Sequence, residues 1–462
     1  MSSISGMSLS HWRREMLRTN FWLVPSLEVL AAVVLFWITW EIDRAVYHGT
    51  LSLPAWVEAG SADTARGILL AVAASIMTVI GINFSVVLVT LTLASTQFGP
   101  RMLRNFIRDR GTQLTLGTFV ATAFYCVLVL VSIGPAQHGV FVPHLSVNFV
   151  YLLVLVDLGV LIYFLHHIAV QIQLPFVIAS IAHDLTHFAE VRNCDIATSA
   201  GDTQGHADEL VALIGTIETS GAKIRNPKGG YLQAMRYDLL VRAASAADAV
   251  VHVPYRPGHF LVEGRELVAV WPPAAADRVA RCLKRAQQTG PVRTLAQDPA
   301  FGIDQLVEIA IRALSPAVND TFTALACVDW LGNVLCKLAP VWAPERVYRD
   351  PAGAVRVICE QVSLERLVQR SFDKIRQASR GMPALLMREL DALTAIMEQT
   401  TDADQARILM DQAAMIQRAN LESVPEESDR ADVESRYNAV ACAYARLNDL
   451  AEANRNRSAI FA

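Results

Sequence analysis

Five small residues in one apolar stretch are spaced for a common face: Thr78, Gly81, Ser85, Thr92 and Thr96. Steps of three, four, seven and four keep them on one side of a helix, with Val89 roughly between. Inside a membrane such a stripe has two uses. It lines water, where hydroxyls replace part of an ion's hydration shell, or it packs against another helix, where small residues let backbones approach. An oligomer allows both at different depths.

Other residues in the apolar part carry chemistry of their own. Asp157 sits about ten residues into the fourth apolar run, in VLVDLGVLIYF. A carboxylate at that depth is costly, so it either binds a proton or cation or stays neutral against a neighbouring hydroxyl. Depth counting brings Thr78, Thr122 and Tyr125 near its level. Glu28 is nearer an end and can snorkel. His166 and His167 close the same run; histidine titrates near neutral pH, so a pair at a membrane mouth either senses pH or binds headgroups. They diverge by about 100° on a helix, so they do not chelate one metal together. Arg101, Arg104 and Arg108 follow the Gly99-Pro100 break. They either hold lipid phosphates or ring a vestibule that attracts anions.

No metal, cofactor or catalytic site is expected. His183 and His187 share a helical face without a third ligand nearby. The cysteines are odd in number and none forms a C-x-x-C pair, which speaks against zinc and against a disulfide framework. No nucleophile–base motif, phosphate loop or dinucleotide fingerprint occurs. The net charge of −4 gives no basic surface for nucleic acid.

The elements that must position the stripe and Asp157 are membrane spans. Of the 462 residues 53% are hydrophobic, and the excess lies in the first 175 or so. Four apolar runs, about 21–40, 67–97, 114–133 and 147–172, are long enough to cross a bilayer, which takes about 20 residues. Trp22, Trp37 and Trp40 suit the interfaces of the first, which reads as an uncleaved span. Arg13, Arg14 and Arg18 precede it, and the 98–113 turn carries Arg101, Arg104, Arg108 and Arg110. The other two loops hold only Arg44 and Arg66 between them, so both termini are expected in the cytoplasm.

The remainder reads as an α+β cytoplasmic region. Residues 174–212 form a connecting helix and linker. Residues 213–273 form a small β-sandwich or barrel-like subdomain of short strands, with turns at Gly229-Gly230 and Arg256-Pro257-Gly258. Residues 274–462 form a helical domain, with helices near 303–314, 321–338, 364–375, 384–398, 404–418 and 432–453 and a frayed end after 454. Asn319 or Asp320 is placed to start a helix, and Arg293, Asp304 and Arg312 are placed to form either a small-ligand site or surface ion pairs.

Four blocks carry a family likeness: FSVVLVTLTLASTQFGPRMLRNFIRDRGTQLTLGTF, IYFLHHIAVQIQ, YRPGHFLVEGRELVAVWP and DPAFGIDQLVEIAIRALSPAVNDTFTALACVDWL. In these the chain resembles a family of bacterial predicted membrane proteins classed as domain of unknown function number twenty-two fifty-four. The resemblance implies a multi-pass inner-membrane protein and no activity. GGYLQA with RPGHFLVEGRELVAV is also similar to the turn pattern of biotinyl-lipoyl barrel-sandwich folds, without their Met-Lys-Met carrier site. The function expected is an oligomeric ion channel or ion-conducting protein with a cytoplasmic regulatory region. The alternative is a membrane-anchored sensor or scaffold binding a small ligand or protein. Lipid, other copies of the chain and inorganic ions are the expected partners.

Overall fold

The computed structural model describes residues 22–51, 54, 60–98, 109–136, 139–196, 207–342 and 346–460. The chain divides into two compact units, one ending at Phe176 and one beginning at Val177.

The first unit is a helix bundle: α1 (Leu23–Tyr47), α2 (Ala62–Phe98), α3 (Arg110–Ser132) and α4 (His144–Gln171). A hairpin of β1 (Gly134–Ala136) and β2 (Gly139–Phe141) joins α3 to α4. All four helices are long and apolar enough to cross a membrane, where a helix satisfies its own backbone hydrogen bonds. Helix α3 is the hub. Of its most apolar window 56% is buried, against 17%, 11% and 22% for α1, α2 and α4. Phe119 and Ala123 pack with Ile76 of α2 and Leu161 of α4. Tyr125, Cys126 and Val129 pack with Ala32 of α1 and Val147 and Val150 of α4. Helix α2 buries Ala65, Leu69, Ile76, Asn83 and Thr90, a single stripe, and leaves Leu70, Met77, Ile82, Phe84 and Leu88 outside. α5 (Leu174–Ile196) follows.

In the second unit, α6 (Ala207–Ser220) precedes two sheets. The larger sheet has β3 (Ala222–Arg225), β7 (Glu266–Trp271), β5 (Val250–Val253), β10 (Val355–Cys359) and β9 (Val347–Arg349), in that spatial order. The smaller has β6 (Phe260–Leu261), β4 (Gly230–Met235) and β8 (Gln287–Gly290). Helices α7 (Tyr237–Ser245) and α8 (Ala276–Ala286) complete one shared core with Leu232, Val251, Val268 and Val357. This departs from the barrel-like expectation in two ways. Tyr237, Leu240, Val241 and Ala244 bury one face of a helix where only strands were expected. Strand β10 also arrives from about a hundred residues downstream and pairs parallel to β5, Val357 opposite Val251. A parallel partner needs a long crossover, so neighbouring sequence does not announce it.

The remaining helices are α9 (Pro299–Ala313), α10 (Thr321–Leu338), α11 (Leu364–Ala378), α12 (Pro383–Gln399), α13 (Ala403–Ser423) and α14 (Glu427–Ile460). Helix α14 continues past 454, where a frayed end was expected. Asp320 caps α10 by accepting from the Thr323 amide at 3.0 Å, with Asn319 left-handed at φ 49° before it. Ser363 and Asp402 cap α11 and α13 in the same way. Gly332 of α10 lies so close to α12 that a methyl there would stand 2.9 Å from the Ala392 methyl. Residues Thr321–Val341 are a fifth stretch long and apolar enough to cross a membrane, with mean hydropathy 1.4 against 1.9 to 2.3 for the other four.

One buried group in this core lacks compensation. Glu389 of α12 is 0% exposed, and among the described residues neither carboxyl oxygen has a hydrogen-bond partner. Burial pushes its pKa well above the ordinary 4.5, against a smaller lowering by Arg376. A carboxyl that holds its proton more tightly when folded favours the fold at low pH. That advantage is lost as pH rises from 4.5 through the raised folded value. Glu389→Gln is therefore expected to flatten this loss. It should stabilise the second unit above neutral pH by about 1–3 kcal/mol, read from thermal unfolding at a series of pH values.

Candidate functional site

The hydroxyl stripe lies on the side of α2 turned away from the other three helices. Thr78, Gly81, Ser85 and Thr92 are exposed in the single chain. A methyl on Gly81 would meet nothing within 4 Å. Thr78 and Thr92 donate to the carbonyls of Ala74 and Leu88, at 3.0 and 2.8 Å. Each hydroxyl thus has its hydrogen bonded at home while its oxygen still points outward as an acceptor. At Thr96 only the helical backbone is described, and Arg101, Arg104 and Arg108 lie outside the described residues.

Asp157 is 5% exposed and accepts from Thr122 of α3 at 3.2 Å, while its second oxygen has no partner among the described residues. Thr122 and Asp157 are thus brought together. Thr78 is not part of this contact, and Tyr125 turns elsewhere: its hydroxyl lies 2.9 Å from Thr39 of α1 and donates to the Ser146 carbonyl at 3.3 Å. The two adjacent histidines part company. His166 is exposed, and His167 turns inward beneath the stacked ring of Tyr163, centroids 5.2 Å apart.

His167 belongs to a cluster that sequence reasoning did not find. Asp109 caps α3, accepting from the Thr112 amide at 2.7 Å and hydroxyl at 2.8 Å. Its carboxylate also meets His167 Nε2 and Gln171 Nε2 of α4, each at 2.8 Å. Burial alone would raise the Asp109 pKa; the hydrogen bonds from Thr112, His167 and Gln171 outweigh it and hold the carboxyl below its ordinary range. Gly111 makes room, since a methyl there would strike the His167 ring. The signal available in sequence was the D-x-x-T spacing of Asp109 and Thr112, a capping pattern.

At the opposite end of α3, Asp43 of α1 caps α4 from outside it. Its carboxylate accepts from the Leu145 amide at 2.8 Å, the Ser146 amide at 2.9 Å and the Ser146 hydroxyl at 2.7 Å. These are amides that a local cap would satisfy, and Pro143, at the cap position, has no side chain to do so. Nothing in the local sequence signals this, because the donor and acceptor lie about a hundred residues apart.

The second unit holds a dense ion network between sheet and helices. Arg293 reaches Asp298 at 2.7 Å and Asp304 at 2.6 Å, and Arg370 of α11 reaches Asp304 at 2.7 Å. Asp298 begins α9, and Gly258, left-handed at φ +95°, lies so close that a methyl would strike its carboxylate. Burial alone would lower the Arg293 pKa; its two carboxylate partners outweigh that and hold it above the ordinary guanidinium range. Arg293 and Asp304 thus meet, and Asp298 and Arg370, which the sequence reading did not include, join them. Among the described residues no group of three or more His, Cys, Asp or Glu side chains is placed to hold a metal, and His183 and His187 are exposed.

The profile of a family described as "Predicted membrane protein (DUF2254)" matches residues 18–395. A protein of Mycobacterium bovis and one of Mycobacterium tuberculosis, both named only as uncharacterized, are each 31% identical over 399 residues. That alignment covers 85% of this chain and 73% of each relative. No solved structure matches.

Asp43→Ala removes the cap of α4 without touching its packing. It is expected to destabilise the first unit by about 1–2 kcal/mol, measured by denaturant titration of the full chain in detergent micelles. Asp63→Ala, at a side chain 96% exposed, should leave the midpoint unchanged.

Proposed function

Because the chain belongs to the DUF2254 family of predicted membrane proteins, we propose that it is a four-span protein of a bacterial inner membrane that oligomerises through α2 and conducts ions between its subunits. The observation that carries this reading is the outward position of Thr78, Gly81, Ser85 and Thr92. A four-helix unit built around α3 keeps its own centre filled, so a pathway forms more readily where several α2 helices meet. Small side chains there permit close approach, and outward hydroxyl oxygens replace ion hydration.

Both termini face the cytoplasm in this reading, because the Arg-rich segments at residues 13–18 and 101–110 then lie on the side that retains cations. The stretch Thr321–Val341 is read as a core helix: it is half buried and flanked by amphipathic helices with charged outer faces. The second unit serves as a cytoplasmic regulatory region. A membrane-anchored sensor is the second reading, and the ion network around Arg293 favours it, since such a cluster is a natural place to recognise a charged small molecule.

Purified protein in liposomes should show ion flux that Thr92→Trp lowers by about tenfold or more. Cysteines at Gly81 should cross-link between subunits, and a cysteine at Arg104 should be labelled by impermeant reagent only from the cytoplasmic side. Absence of flux under every gradient, pH and voltage would sink the conducting reading. Labelling of Arg104→Cys from the periplasm would sink the orientation.

A further inference from the structure

The cluster around Arg293 is asymmetric in charge. Buried Asp298 is engaged by Arg293, and half-buried Asp304 by both Arg293 and Arg370. A third guanidinium, Arg256, stands among them. It is only partly exposed, and among the described residues its side chain has no hydrogen bond and no ion pair. The remaining acid that acts on it, Glu360, is exposed and makes no contact with it short enough to be an ion pair. Arg370 adds a second unanswered donor: its buried Nε has no partner among the described residues.

We propose that Arg256, His259 and Arg370 form a binding site for the phosphate group of a small molecule or lipid. A guanidinium held half out of water beside two others is unfavourable unless an anion answers it. The planar forks of Arg256 and Arg370 match phosphate oxygens, and together with an imidazole N–H they offer more donors than one carboxylate accepts. His259 is oriented for this. Its Nδ1 faces the Arg256 backbone N–H at 3.5 Å, so the tautomer that accepts there carries its proton on Nε2, the other ring nitrogen. Burial and then the charge of Arg256 lower the His259 pKa, which keeps the ring neutral and a donor of one proton. Burial and then Arg370 likewise lower the pKa of Arg256, the mark of a cation short of anions. Gly258 holds the loop against Asp298, so Arg256 and His259 are carried on a backbone with little freedom. The site lies where the sheets meet α9 and α11, a junction where ligand pockets commonly form.

The test is isothermal titration of the full chain in detergent with inorganic phosphate and with pyrophosphate. Binding is expected, weakened by about tenfold or more in Arg256→Gln. His259→Ala should weaken it less, and Arg256→Lys should fall between Gln and the native residue. Arg265→Gln, which removes an exposed cation from the turn that follows, should bind as the native chain does. Nanodiscs with and without phosphatidic acid distinguish the sources. Competition with inorganic phosphate only when phosphatidic acid is present assigns a lipid headgroup; no competition assigns a soluble phosphate ester. If Arg256→Gln does not elute as a folded species, His259→Ala and Arg256→Lys carry the test. No binding to the native chain, or undiminished binding to the folded variants, overturns the assignment.

Discussion

Hydrocarbon supplies no hydrogen bonds, so a polar group on a helix apolar enough to cross a membrane gains most from a partner within the protein. Several of the polar contacts between helices fall on α3. Asp109 ties its start to His167 and Gln171 of α4, and Thr122 meets Asp157 midway. Toward its end Tyr125 joins Thr39 of α1 to Ser146 of α4. Apolar contact alone would not select this arrangement, because lipid tails are as apolar as the helices. Polar contacts with one geometry do select it. Gly111 and Gly117 let the neighbours come close: a methyl on Gly117 would stand 2.9 Å from the Pro25 backbone.

The same constraint explains what is left over. Once α3 has taken the inward faces of the other helices, α2 has one narrow buried stripe and a broad outer surface. Asn83 and Thr90 fall on the buried side, and Thr78, Gly81, Ser85 and Thr92 on the other. Small residues that face away from the chain's own bundle are where a second copy or water has the easiest approach.

In the second unit polar groups have water as an alternative, and burying them is a choice with a cost. The Arg293 network meets that cost with short ion pairs to Asp298 and Asp304. Glu389 does not: its neighbours Arg376 and Asp373 already meet each other at 3.5 Å, and Arg376 Nε is itself left without a partner among the described residues. Balanced and unbalanced charge thus coexist in one unit. The unbalanced positions, Glu389 in the helical core and Arg256 at the junction, are the ones whose behaviour depends on protons or anions.

What sequence determined is whatever depends on neighbours along the chain. Apolar runs long enough to span, and the amphipathic helices α9 to α13, follow from hydrophobic period alone; a helix start at Asn319 or Asp320 and Gly258 as a turn residue follow from local preference. Tertiary structure decided what depends on residues far apart. The pairing of β10 with β5, the cap that Asp43 lends to α4 and the turn of His167 toward Asp109 each close a contact across more than fifty residues. Local chemistry can offer a donor or an acceptor, but only packing brings the distant partner within about 3 Å of it.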